Sequence, residues 1–191
     1  MGTYKVIEAT GEGLVKLLRK ELVPEFVEHE EEIDLCCPDE KGDAIVSICL
    51  YDISQSEEMA GVGMQNRGLT RQKYPSLFLN LHYMITVHVQ SDRKFRARQE
   101  QKLMGRILQI FAASRILAEE YLLEGVPENP VKIQMEKLSF DEKTKIYSGM
   151  GKPYQNSLFY RVFPVELEST EEKKVHRVTH MDFSVKEEKM R

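Results

Sequence analysis

The sequence predicts an α+β domain: a mostly antiparallel sheet of four to five strands with a long helix packed on one face. Three observations lead there. From Leu77 to Val89 every odd position is apolar (Leu77, Leu79, Leu81, Tyr83, Ile85, Val87, Val89), while the even ones mix Asn80, His82, Thr86 and His88 with Phe78 and Met84. That period of two marks a strand with one buried and one mixed face. At about 3.3 Å per residue it spans roughly 40 Å, about twice the usual strand. Downstream, Leu103, Met104, Ile107, Leu108, Ile110, Phe111, Ser114, Leu117, Ala118 and Tyr121 recur at helical spacing. A helix over 97–122, about 37 Å long, nearly matches the strand and can cover its apolar face. The remaining apolar runs are short, bounded by turn residues and free of any internal repeat.

Taken in order, residues 5–23 predict an amphipathic helix, with Gly11 and Gly13 as weak points in its middle and Pro24 as its stop. Ile33, Leu35 and Cys37 alternate in a short strand that ends at Pro38, and Pro38 to Asp43 is a turn. Ala44 to Ile53 is a second strand, so nearly continuous in apolarity that both faces must be covered. Residues 54–75 are the longest irregular stretch, running through Gly61 and Gly63 to Pro75, and a loop of this length is functional or disordered. The simplest pairing is a hairpin of 44–53 against 77–89. Arg93 to Arg98 is a basic turn before the long helix. Lys132 to Leu138 alternates as a strand. Asp141 to Gly149 is a short helix, with Ser139 as N-cap and Glu142 three residues on. Leu158 to Leu167 is another strand, in which Pro164 signals an edge or a bulge. From Glu168 the chain is charged and poor in large apolar residues. The division is therefore a domain over 1–168 and a C-terminal arm over 169–191 that orders on a partner.

Composition excludes several classes. The 191 residues fit one domain, and a formal net charge of −4 argues against nucleic acid as partner. No apolar run approaches a membrane span, and the N-terminus lacks the apolar core of a secretory signal. Val6 stands where a myristoylation site wants Ser or Thr. Cys36, Cys37 and Cys49 are odd in number, two of them adjacent, and do not form a disulfide framework; they read as small apolar strand residues in a reducing compartment.

Candidate chemistry is sparse. His82 and His88 share the mixed face of the long strand but lie about 20 Å apart, too far to share a metal. His176 and His180 have helical metal-pair spacing without the Glu of an HExxH motif. Gly61-x-Gly63 lacks the third glycine of a nucleotide fingerprint, and Thr10-Gly11-Glu12-Gly13 lacks the Lys-Ser/Thr of a P-loop. Cys49 lies in an apolar strand that supports a thiolate poorly. The sequence points to no catalytic residue, no metal and no cofactor. The sharpest charge feature is Arg93, Lys94, Arg96, Arg98 and Lys102, set at a helix N-terminus where positive charge opposes the dipole. It reads as a contact for an acidic partner surface or as a solvated turn.

Several segments then carry a resemblance in their order: Leu50-Tyr51-Asp52-Ile53; Gln65-Asn66-Arg67; Pro75 to Thr86; Glu100 to Gln109; Lys145-Ile146-Tyr147-Ser148-Gly149; and Pro153 to Val162. Over residues 5–168 the chain resembles the tube-terminating cap protein family of extracellular contractile injection systems, the phage tail-like particles. Where that family often has Trp, this chain has Tyr147. The resemblance implies a tail-terminator-like fold and a structural, non-enzymatic subunit. It implies a homo-oligomeric ring, six-fold, that ends the inner tube and the sheath at the end distal from the baseplate. It also implies assembly in the cytoplasm and later release as part of an extracellular particle, with neither nucleic acid nor membrane as partner. Interface candidates are Asn66, Arg67 and Arg71 in the long loop, Arg93, Lys94, Arg96 and Arg98 in the basic turn, and Arg177 in the arm. The alternatives are a terminator of a true phage tail and a stand-alone small-ligand-binding α+β domain.

Overall fold

The structure is a computed structural model that describes residues 4–38, 40, 42–57, 63–67, 71–89, 91–122 and 129–174. Two compact units emerge, one built from 1–60 with 76–168, the other from 61–75 with 169–191.

The larger unit begins with helix α1 (Val6–Leu22). Gly11 and Gly13 do not break it, because both are points of close approach. A Cβ at Gly11 would stand 3.0 Å from Leu35 Cδ1, and one at Gly13 would stand 3.0 Å from Leu117 Cδ2 and 3.1 Å from the Tyr121 carbonyl. Arg19 and Lys20 in the last turn suit the helix dipole. The Arg19 guanidinium also donates to the Ile33 carbonyl from Nε at 3.2 Å and Nη2 at 2.9 Å, tying α1 to the edge of the sheet.

That sheet contains β1 (Ile33–Asp34), β2 (Val46–Gln55), β5 (Leu77–Val87), β7 (Ser157–Leu167) and β6 (Lys132–Met135), in that spatial order. Only the β1–β2 pair is parallel, so the expected mostly antiparallel sheet and the β2–β5 hairpin are both present. Two bulges bracket β5. On β2, Leu50 pairs with Tyr83 and Asp52 with His82, leaving Tyr51 extra. On β7, Leu79 pairs with Val165 and Leu81 with Val162, so Phe163 and Pro164 together oppose Asn80. The bulge half of the Pro164 expectation holds. β7 is interior as a strand, but β6 pairs with it only as far as Phe163, so at Pro164 that side of the strand is a local edge where no ladder bond is needed.

The alternation of β5 sorts its side chains as expected. Leu79, Leu81, Tyr83, Ile85 and Val87 enter the main core with Leu14, Leu18 and Leu22 of α1 and Leu103, Ile107 and Phe111 of α2 (Arg93–Ala113). Both α1 and α2 cover that face, and α2 ends nine residues early, at Ala113 rather than 122. Residues 114–117 run extended against β6 instead, with Leu117 N–H donating to Val131 O and Ile133 N–H to Arg115 O, both at 2.8 Å. Leu117 keeps a core position, 2% exposed, which is why the apolar spacing continued past the helix. The opposite face holds a smaller cluster of Cys49, Met84, Tyr147 and Phe159. Tyr147 comes from α3 (Phe140–Gly149), whose N-terminus carries the expected capping box of Ser139 and Glu142.

The smaller unit replaces much of the expected irregular loop. Strands β3 (Gln65–Arg67), β4 (Arg71–Lys73) and β8 (Glu172–Lys174) form a three-stranded antiparallel sheet in the order β3-β4-β8. These strands are polar throughout, so no period-two apolar signal announced them; main-chain bonds hold them instead.

Candidate assembly surfaces and a polar network

The small sheet carries the interface candidates of the long loop, Asn66, Arg67 and Arg71, on β3 and β4. Asn66 lies on β3, exposed, and accepts from the Gln72 side-chain amide at 3.0 Å. Arg71 lies on β4 and pairs with Glu172 Oε2 at 3.2 Å, an exposed ion pair of little net weight. The backbone register then sets Arg67 opposite Arg71 and Arg71 opposite Lys174. Three cationic residues thus stand in one row across the strands, beside a row of Asn66, Gln72 and Lys173. Like charges directly opposite one another cost stability in a sheet, and the Glu172 carboxylate beside Arg71 offsets part of it. Arg177, with His176 and His180, lies outside the described residues.

The basic turn is the first turn of α2 rather than a loop before it: Arg93 opens the helix and Lys94, Arg96 and Arg98 follow, the last three exposed. No acidic residue occupies that turn and Asp92, the N-cap residue, makes no side-chain cap bond, so the positive charge opposes the helix dipole uncompensated from within it. The Lys94 ammonium lies 5.9 Å from the centre of the half-exposed Phe95 ring. Arg96 also lines a cavity of about 1000 Å³ with Val87, His88, Asp92, Glu100 and Asn156.

On the mixed face of the large sheet lies an arrangement that spacing alone did not reveal. Glu136, just beyond β6, accepts from Tyr51 Oη at 2.7 Å on one carboxylate oxygen and faces His82 Nδ1 with the other. His82 Nε2 lies 2.9 Å from Ser54 Oγ, and Ser54 Oγ accepts from the Asn80 amide at 3.3 Å. The His82 ring and the Ser54 hydroxyl are both satisfied when Nδ1–H donates to Glu136 and the Ser54 hydroxyl donates to Nε2, while Asn80 Oδ1 is buried without a partner among the described residues. The His82 and Glu136 side chains are 17% and 12% exposed. Burial, reinforced by the Glu136 carboxylate, pushes the Tyr51 phenol well above its ordinary range. Tyr51 reaches this face by the same alternation that puts Ser47 and Cys49 there, and the β2 bulge after it brings Ser54 to the same face, opposite Asn80; the Tyr51 ring also meets Phe159 edge-on at 5.6 Å. Chemically the set ties three strands together, and it also has the hydroxyl–imidazole–carboxylate order of a nucleophile relay. The signal that could have found it is the polar side of the Leu77–Val89 alternation, where His82 and Asn80 sit among strand residues that must pair across the sheet. His88 instead meets Ser47 Oγ at 3.2 Å.

Comparison with known proteins adds the following. Two solved structures match nearly the whole chain. One is the PVC sheath/tube terminator in the extended state, from an extracellular contractile injection system: TM-score 0.65, 20% identity, 98% of this chain and 65% of that chain covered. The other is the anti-feeding prophage cap, a tube terminating cap: TM-score 0.62, 21% identity, 97% of this chain and 62% of that chain covered. The chain therefore spans somewhat under two thirds of the length of either, and shares their fold. No curated protein matches the chain. The family described as Pvc16 N-terminal domain matches residues 9–180. With nine-tenths of its length inside that match, the chain belongs to the Pvc16 N-terminal domain family.

Proposed function

We propose that this chain is a structural subunit of the cap that terminates the inner tube, and with it the sheath, of a contractile phage tail-like injection particle. The observation that carries the reading is the fold shared along almost the entire chain with a sheath/tube terminator and a tube terminating cap, within a matching family. The subunit works by occupying the tube end as a ring of identical copies, six to match a six-fold tube, so that no further tube or sheath layer can add. It carries out no catalysis in this role. Assembly takes place in the cytoplasm and the cap leaves with the released particle. The row of Arg67, Arg71 and Lys174 and the first turn of α2 at Arg93, Lys94, Arg96 and Arg98 are the surfaces offered to acidic faces of neighbouring cap, tube or sheath subunits. Asn66 and Arg177 belong to the same contacts.

The test is particle length. In cells that make the particle, removing this protein is expected to give long, heterogeneous or unstable tubes in negative-stain images, and restoring it to recover one length. Arg71→Glu with Lys174→Glu, and separately Arg96→Glu with Arg98→Glu, are expected to leave a folded chain that no longer restores it. Particles of uniform, unchanged length without the protein overturn the reading. A terminator of a true phage tail differs by its neighbours: capsid genes beside the tube and sheath genes would favour it.

One observation favours a second reading, a small α+β hydrolase, namely the Ser54–His82–Glu136 order. Labelling by a fluorophosphonate probe that disappears in Ser54→Ala and in His82→Ala would support it; no labelling removes it.

A further inference from the structure

Cys37 and Cys49 sit on neighbouring parts of the large sheet. Cys49 is in β2, and Cys37 follows β1, which runs parallel to β2 with Ile33 opposite Val46 and Asp34 opposite Ser47. Continued past β1 that register would set Cys36 opposite Cys49, but the chain leaves the strand after Asp34 and it is the Cys37 side chain that reaches Cys49. The two Sγ atoms lie 2.9 Å apart, both as thiols rather than joined in a disulfide. Cys36 points its thiol elsewhere, toward the Asp34 carbonyl at 3.9 Å. Access is uneven. Cys49 is 2% exposed, whereas Cys37 is half-buried, and both line a cavity of about 320 Å³ with Cys36, Glu40, Leu35 and Tyr83.

We propose that Cys37 and Cys49 are an oxidisable pair, reduced during assembly and joined as a disulfide once the chain meets an oxidising medium. A low-molecular-weight disulfide such as oxidised glutathione is the oxidant. The Cys37 thiolate attacks one of its sulfurs and expels one glutathione thiolate, leaving a mixed disulfide on Cys37. The Cys49 thiolate then attacks the Cys37 sulfur and expels the second. Two protein thiols are oxidised, one glutathione disulfide is reduced to two glutathiones, and the two cysteine protons end on those products. The bond closes the turn between β1 and β2. Its effect is to pin a two-residue edge strand that otherwise holds its place by a short parallel ladder and the Arg19 contact. The timing rests on the cap reading, in which the particle leaves the cell; the pairing does not.

The experiment treats the purified full-length chain with oxidised glutathione, quenches with an alkylating agent, and maps tryptic peptides without reduction. Cleavage after Lys41 separates the two cysteines. Expected are loss of two of three free thiols, a linked peptide pair that persists in Cys36→Ser and is lost in Cys37→Ser, and a rise in thermal midpoint of about 5–10 °C on oxidation. Three free thiols after oxidation overturn the proposal, as does a disulfide that includes Cys36. For the timing, released particles are alkylated at collection and compared with particles from lysed cells. A pair that oxidises in the purified chain but stays reduced on released particles overturns the timing. A chain that pairs but is found on no particle overturns the cap reading and leaves the pairing standing.

Discussion

Replacing Glu136 by Ala tests whether the polar network holds β6 in place. The carboxylate receives Tyr51 Oη and the His82 imidazole, and both partners are largely buried. Truncation removes two charge-assisted hydrogen bonds and leaves two donors facing a gap. Each orphaned donor costs about 1–3 kcal/mol. Because Glu136 and His82 keep 12% and 17% exposure, water can reach the gap in part, which places the total near the lower end, about 2–4 kcal/mol. At a urea slope of about 2 kcal/mol/M, the unfolding midpoint followed by far-UV circular dichroism should fall by roughly 1–2 M. A double-mutant cycle sharpens the test. Tyr51→Phe alone should cost about 1 kcal/mol, but in the Glu136→Ala background it should recover stability, because the donor it removes is already without an acceptor. The resulting coupling is about 2 kcal/mol. An Ala variant within 0.5 kcal/mol of the parent, or strictly additive effects, would refute the argument that this network is a structural tie.

Further outcomes follow from other sites. Gly13→Ala should destabilise the chain although it raises helix propensity, because the added methyl meets the Tyr121 carbonyl at 3.1 Å; thermal melting of this variant beside a Gly105→Ala control, whose added methyl meets nothing within 4 Å, separates packing from propensity. Ser139→Ala should cost about 1 kcal/mol by removing the cap of α3, measurable by denaturant unfolding. Glu142, held below its ordinary value of 4.5 by that same cap, contributes stability that is present above pH 4.5 and lost as pH falls through its lower folded value. The pH dependence of the melting midpoint between 5 and 3 should therefore flatten in Ser139→Ala. At the alkaline end, burial raises the phenols of Tyr51 and Tyr83, and pushes Tyr160 up to about 12. Raised phenol values favour the neutral folded state, so this stability is complete below pH 10 and declines as pH rises above it. Absorbance titration at the tyrosinate band should show these groups ionising only as the fold is lost.

The large sheet was legible because its signals are apolar. The odd residues of β5, the facing helix and the Ser139–Glu142 box were all readable from spacing, and so was the bulge at Pro164. The small sheet was not: Gln65-Asn66-Arg67, Arg71-Gln72-Lys73 and Glu172-Lys173-Lys174 carry no alternation, and their pairing is set by main-chain bonds between distant segments. The end of α2 was misjudged because Leu117 stays buried in an extended segment, and periodicity records burial rather than conformation. The charge of the candidate residues was readable, but not their alignment, since the Arg67–Arg71–Lys174 row exists only in a register that joins an internal segment to one about a hundred residues later.

That register also has a kinetic side. Arg71 and Glu172 are 101 residues apart, so the third strand of the small sheet arrives only after nearly all of the larger unit has been synthesised. Until it docks, β4 offers an unsatisfied main-chain edge, a template for pairing with whichever extended segment comes first. A chain broken off before Glu172 would therefore do more than lose its last strand; it would expose that edge permanently. Completion of the small sheet therefore marks a chain that has been made at least as far as Glu172.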